Sequence, residues 1–244
     1  MLKNIFFLTL TLFSFFLKLS AQESRVNVDT LYYQIDTMQC RFVRYTPENA
    51  QYHFQRIKPD SNDNNLLMSV VAAFTSKRPE HIVGTSVSNG KKKIYPTDAE
   101  TAYCLIEGDN IFIKSLSENS KLAIERAEKQ KGDYFQQMHL VENKEAKQCE
   151  IFKNRATFRR ALAQKGEETS IIETLERITI DEFIESLIYL GYEQAIYLDM
   201  GSWSEGWYKD KDKDNNIIRI GNNWKSSHLQ TNWLVIKRKK TKKY

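Results

Sequence analysis

The segment that most restricts the architecture runs from Thr179 to Asp199. Ile180, Phe183, Ile184, Leu187 and Ile188 fall at i, i+3, i+4, i+7 and i+8, which puts them on one face of a helix over 179–190. Thr179 supplies an N-cap with Glu182 three residues later, and Gly191 supplies the stop. Only four residues then separate this helix from Ala195 to Asp199 (AIYLD), a short apolar strand that closes on a carboxylate. A one-faced helix that runs directly into an apolar strand needs a sheet to lie on.

The remaining patterns supply that sheet. Residues 26–35 and 39–45 carry the β-branched and aromatic enrichment of strands. Leu66 to Phe74 (LLMSVVAAF) is a continuous apolar run of strand length, predicted to be buried on both faces. Ser88-Asn89-Gly90 predicts a hairpin turn, and Glu107-Gly108-Asp109 predicts another between strands at 103–106 and 110–114. A second helix is expected over 120–131, with Leu122, Ala123 and Ala127 on its inner stripe. Further strands are expected at 158–163, 170–175 and 217–220. Strands interrupted by a few helices, without regular β/α alternation, describe an α+β fold around a mixed β-sheet.

The net charge of +5 is unevenly placed. Residues 237–243 (KRKKTKK) carry six positive charges and no acid, and the first 21 residues carry Lys3 and Lys18. The chain between them is mildly acidic, which removes nucleic acid as an expected partner. Residues 1–21 combine Lys3, an apolar run from Ile5 to Leu17, and Leu19-Ser20-Ala21. That is the layout of a secretory signal peptide cut after Ala21, and the run is too short to span a bilayer. The expected organisation is a signal peptide (1–21), one domain (22–236) and a basic C-terminal tail (237–244), giving a secreted or periplasmic product with no stable membrane anchor.

Cys40, Cys104 and Cys149 are three and far apart, so at most one disulfide forms within the chain. They read best as small buried apolar residues. Asp210 to Asn216 alternates acids with lysines, but an EF-hand beginning at Asp210 would meet Asn215 and Gly221 where Gly and Glu are required. It reads as a solvated turn. The four histidines are scattered, and no glycine-rich phosphate loop or serine-hydrolase elbow occurs.

Two segments carry candidate chemistry. Phe158-Arg159-Arg160-Ala161-Leu162-Ala163 sets two arginines in an apolar strand, so period-two alternation sends one to each face and pushes one guanidinium to the buried or concave side; the segment by itself fits an ordinary strand with an internal salt bridge better. A planar guanidinium fork suits a carboxylate or phosphate. Tyr197 to Tyr208 ends a strand on Asp199 and passes through Gly201, Ser202, Trp203, Ser204, Glu205 and Gly206 to Trp207. Sites are commonly built at such strand ends, and Trp203, Trp207 and Tyr208 either offer flat platforms for a sugar ring or pack in the core around a hairpin.

In order, the Arg-containing strand (FRRALA), the strand SIIETL, the helix ITIDEFIESLIYLGY and the strand AIYLDMGS resemble the C-terminal half of the phosphodiester glycosidase family over residues 156–208. Val70 to Gly90 and Gln230 to Trp233 are similar more loosely. That family ends this strand in Leu-Asp-Gly-Gly-Gly-Ser. Here Met200 stands for the first Gly, Trp203 follows where small residues continue, and Val71-Ala72-Ala73-Phe74 lacks the family's Asn-Gly.

The resemblance implies a hydrolase acting on a sugar linked through phosphate, with a sugar-phosphate or glycan as partner. Arg159 or Arg160 would hold the phosphate, and Asp199 would act at the sugar with Glu173 or Glu205 as second carboxylate. Gly201, Ser202, Trp203 and Trp207 would contact substrate. No cofactor is expected, and a divalent metal stays open. The alternative is a catalytically silent glycan- or phosphoglycan-binding domain of the same fold.

Overall fold

The computed structural model describes residues 23–76, 81–95, 101–149, 154–201, 204–221 and 228–239. The signal-peptide segment lies outside them. In chain order the strands begin with β1 (Arg25–Ile35), β2 (Met38–Glu48), β3 (Ala50–Gln55), β4 (Leu66–Val71), β5 (Gly84–Ser88) and β6 (Lys91–Tyr95). β7 (Ala102–Glu107) and β8 (Asn110–Ser115) lead into helix α1 (Ser120–Gln130). β9 (Asp133–Gln137), β10 (His139–Glu142), β11 (Glu145–Ala146), β12 (Arg160–Lys165) and β13 (Glu168–Thr174) lead into helix α2 (Ile180–Tyr189). The chain closes with β14 (Gln194–Leu198), β15 (Gly206–Asp210), β16 (Asn216–Ile220) and β17 (Trp233–Arg238).

These strands form three sheets, in the orders β1-β2-β13-β12-β14-β10-β11, β16-β15-β4-β17-β3 and β6-β5-β9-β7-β8. The α+β class is as expected, with a refinement: every ladder among the described strands is antiparallel. Strands interrupted by a few helices had suggested a mixed sheet from sequence. Instead β13 and β14 flank β12 on either side, each antiparallel to it.

The central strands β12, β13 and β14 of the seven-stranded sheet are buried on both faces, whereas the edge strands β1 and β11 are largely exposed. Leu162, Ile171, Ile196 and Leu198 meet side chains of the other two sheets, including Phe54, Val70, Phe135 and Leu234. Ala161, Ala163, Ile172 and Ala195 meet Phe183, Ile184 and Leu187 of α2 on the other face. β4 is accordingly buried at all six positions. Helix α1 covers the third sheet through Ala123 and Ala127, whose small side chains let it lie close to Tyr103 and Tyr134. Leu122, expected on that stripe, is 54% exposed, because the inward direction is set by the 123/127 pair one residue round the helix.

Local signals act as the sequence implied. Asn89 and Gly90 both take positive φ, 48° and 75°, and close the β5–β6 hairpin. Thr179 Oγ1 accepts from the Glu182 amide at 3.2 Å, and the Glu182 carboxylate accepts from the Thr179 amide at 2.6 Å. The three cysteines are free and buried. The basic stretch, however, does not begin as a tail. Lys237 and Arg238 are the last two residues of β17, and Arg238 donates to the carbonyls of Asn64 and Ser24 at 3.0 and 2.9 Å. Residues 240–244 lie outside the described part. Replacing Thr179 with Ala removes one arm of the capping box and should cost about 1 kcal/mol, read as a lower urea midpoint with an unchanged m-value.

Candidate active site

The register of the seven-stranded sheet assembles the site. β12 and β14 pair with Arg160 opposite Leu198 and Ala161 opposite Tyr197, so one further step sets Arg159 against Asp199 at the sheet end. Side chains alternate across both strands. Leu198 and Leu162 face the three-sheet core, whereas Tyr197 and Ala161 face α2. Arg160 and Arg159 therefore leave the sheet on opposite faces.

Both arginines are fully buried, so burial is not the fate of one guanidinium alone. Arg160 donates to Glu173 Oε2 from Nε at 3.0 Å and from Nη2 at 2.7 Å. Glu173 stands directly opposite it on β13, and this closed pair neutralises both charges inside the core. Behind it a Cβ on Gly221, whose φ is +81°, would lie 1.7 Å from the Ser204 carbonyl oxygen and 3.2 Å from Arg160 Nη2, so backbone closes over the pair.

Arg159 has different company. Its Nε donates to the Ile178 carbonyl at 3.3 Å and its Nη2 to the Arg155 carbonyl, while its amide donates to Thr174 Oγ1 at 2.8 Å. Its Nη1 is buried without a hydrogen-bond partner, as is that of Arg160, so what separates the two arginines is the carboxylate that only Arg160 meets. Among the described residues no carboxylate forms an ion pair with it. A guanidinium held by neutral carbonyls keeps its full charge available to an anion.

That guanidinium and Asp199 line one cavity of about 220 Å³, together with Phe74, Arg155, Thr157, Tyr197, Met200 and Gly201. The Phe74 and Tyr197 rings lie 5.8 Å apart at 44° and form its aromatic wall. The space is below the usual range for a whole small-molecule ligand and matches the reacting group of a larger one.

Asp199 is 7% exposed. Its amide donates to the Ala72 carbonyl at 2.9 Å, and its Oδ1 accepts from the Gly201 amide at 2.8 Å. Burial pushes its carboxyl up from the usual 3.8 to about 6, against the opposing pull of the Gly201 amide, the Arg160 charge and the Gln230 side chain. A carboxyl that changes charge near pH 6 can take or give a proton under mild conditions. Burial likewise raises the Tyr197 hydroxyl to about 12, so it stays protonated.

The expected site residues thus divide. Asp199, Arg159 and Gly201 meet at the cavity. Glu173 is engaged by Arg160, and Glu205 by Lys58 at 2.8 Å, and neither lines it. Trp207 packs with Leu66, Trp233 and Val235 and is 3% exposed, so it is a core residue and not a sugar platform. An apolar ring on a strand buried between β4 and β16 has no route to the cavity. Ser202 and Trp203 lie outside the described residues. Phe74, Arg155, Thr157, Tyr197 and Gln230 were not foreseen. Phe74 ends the apolar run of β4 and Gln230 belongs to the loosely similar QTNW segment, whereas nothing local marks Arg155. Among the described residues no group of three or more His, Cys, Asp and Glu side chains gathers to hold a metal.

The fold is shared with a solved glycosidase. The catalytic domain of zebrafish N-acetylglucosamine-1-phosphodiester alpha-N-acetylglucosaminidase, auto-inhibited by its pro-peptide, aligns over 88% of this chain and 84% of its own, with a TM-score of 0.63 and 11% identity. A hypothetical protein from Synechocystis aligns over 88% of this chain and 62% of its own, with a TM-score of 0.59 and 9% identity. No protein-family model matches the sequence, and neither does any curated protein sequence. At these identities the likeness establishes a shared fold, in keeping with the architecture that the sequence resemblance implied.

The raised Asp199 carboxyl has a thermodynamic consequence. The folded state holds this proton more tightly than the unfolded chain does, so its stabilising contribution is complete below about pH 4 and is lost as the pH rises through about 6. Asp199→Asn should therefore match wild type in stability at pH 4 and exceed it by about 2 kcal/mol at pH 8, measured by urea unfolding at the two pH values.

Proposed function

We propose that this protein is an exported hydrolase that cleaves the bond between a sugar and a phosphate in a phosphodiester. The observation that carries the reading is the shared cavity of Asp199 and Arg159: a buried carboxyl poised near pH 6 beside a buried guanidinium with no acidic partner among the described residues. The fold common to the zebrafish enzyme, which acts on an N-acetylglucosamine-1-phosphodiester, supports the substrate class. The signal-peptide layout of residues 1–21 supports export.

In this reading Arg159, through Nη1, and the exposed Arg155 hold the phosphate oxygens. Water attacks the anomeric carbon and passes its proton to the Asp199 carboxylate. The bond from that carbon to the phosphate oxygen breaks, and its electron pair leaves with the phosphate monoester. The arginines stabilise the charge that develops there. A phosphate ester leaves readily without a strong general acid, which accords with a single carboxylate facing the cavity. Phe74 and Tyr197 take the role of apolar wall that Trp207 does not fill.

One observation favours a second reading, a phosphoglycan-binding domain without turnover. Glu173 and Glu205 are both engaged by cations away from the cavity, which leaves Asp199 without a second carboxylate among the described residues. The two readings separate in one assay. The purified protein should release sugar from a UDP-sugar or a sugar-1-phosphodiester, with kcat/KM rising with pH through about 6 as Asp199 ionises. Asp199→Asn and Arg159→Leu should each lower kcat/KM by about 10²–10³-fold. Saturable binding with no product would establish the binding domain instead, and equal turnover in wild type and Asp199→Asn would remove Asp199 from the mechanism.

A further inference from the structure

β12 and β13 separate one residue beyond the Arg160–Glu173 pair, and the way they separate decides what the Arg159 guanidinium meets. The next facing residues are Arg159 and Thr174. The Thr174 amide donates to the Arg159 carbonyl at 2.9 Å, one of the two bonds that a hydrogen-bonded antiparallel pair exchanges. The other goes to a side chain. The Arg159 amide donates to Thr174 Oγ1 at 2.8 Å, so the hydroxyl takes the place of the Thr174 carbonyl. Both residues are buried, and water supplies no alternative acceptor.

The exchange releases the chain beyond Thr174 from β12. Leu175 stays with β2, its amide donating to the Arg41 carbonyl at 2.9 Å. In uninterrupted register Ile178 would stand opposite Arg155, but it bridges to Thr157 instead. There the Ile178 carbonyl accepts from the Thr157 amide at 3.0 Å and from Arg159 Nε at 3.3 Å, while the Arg155 carbonyl accepts from Nη2. A carbonyl has two lone pairs and can hold both donors.

We propose that Thr174 is a positioning residue for Arg159: its hydroxyl ends the β12–β13 ladder at the point that brings the Ile178 carbonyl onto the Arg159 guanidinium. Neighbouring residues of β13 thereby divide the two arginines. Glu173 takes the Arg160 side chain, and Thr174 takes the Arg159 main chain. Thr174→Val keeps the shape and removes the acceptor. An unpaired buried amide is costly, so the Arg159 N–H turns to the carbonyl of residue 174, which draws 175–178 toward regular register and away from Arg159 Nε.

The proposal rests on the anion-site reading of Arg159 only for its effect on binding and turnover. Its test needs neither, because it follows the Arg159 Nε–H signal by 1H–15N NMR of the purified protein, assigned by its loss in Arg159→Leu. Thr174→Val should speed exchange of this proton with water about tenfold, as the loss of one hydrogen bond gives. Thr174→Ser, which keeps the hydroxyl, should restore the wild-type rate. Thr174→Ala removes the same acceptor and is read in the same way if the valine variant does not fold. Ile172→Val, a core change on the same strand, should lower the urea midpoint and leave the signal unmoved. In parallel the Kd for inorganic phosphate, measured by calorimetry, should rise about tenfold in Thr174→Val and return in Thr174→Ser. An unchanged exchange rate without the hydroxyl, a change that Thr174→Ser fails to reverse, or an equal change in Ile172→Val overturns the proposal. Exchange rates that move as expected in a wild type that neither binds phosphate nor turns over would count against the anion-site reading alone and leave the positioning role standing.

Discussion

Ala72 and Ala73 tie the molecule together at the site. The Ala72 carbonyl accepts the Asp199 amide at the end of the seven-stranded sheet, and both backbone groups of Ala73 are taken by the Asn232 side chain beside β17. Three segments far apart in the chain thereby converge where β4 stops. All of these groups are withdrawn from water, so each unmade bond would carry the full desolvation cost of a buried peptide group. The small alanine side chains, both fully buried, keep the backbone accessible to its neighbours.

Charge burial explains why two adjacent arginines do different things. Arg160 meets Glu173 across the ladder, and the pair closes on itself in the core. Such a pair contributes little net stability, yet removing either member would strand a charge. Arg159, one residue earlier and on the other face, meets only neutral acceptors among the described residues. A protein that leaves a guanidinium in this state accepts a desolvation penalty that an anionic ligand would relieve. The raised Asp199 carboxyl is the same economy in the opposite sign.

Much of the fold was legible in local pattern. The capped helix at Thr179, the buried run of β4 and the turns at Asn89-Gly90 and Gly108-Asp109 are decided by residues within a few positions of one another. Asp199 and Arg159 were legible as candidates because a strand-end carboxylate and an arginine in an apolar strand are both costly and hence unusual. Trp207 misled because an aromatic beside a glycine turn has the same local pattern whether it packs or binds. Its burial against Leu66 and Trp233 depends on strands far away in sequence.

The sequence by itself determined many of the strands, the two helices, the α+β class and the short set of residues able to carry charge chemistry, since propensity, capping and periodicity act over a few residues; β3, β9, β10, β11 and β17 carried no such local signal. Tertiary structure alone decided the antiparallel order of the sheets, which arginine is neutralised, and which side chains join Asp199. Those outcomes depend on register and on the face to which each side chain is sent. The one-residue step from Arg160 back to Arg159 exchanges a core ion pair for a guanidinium held by backbone carbonyls, because successive side chains leave a strand on opposite sides.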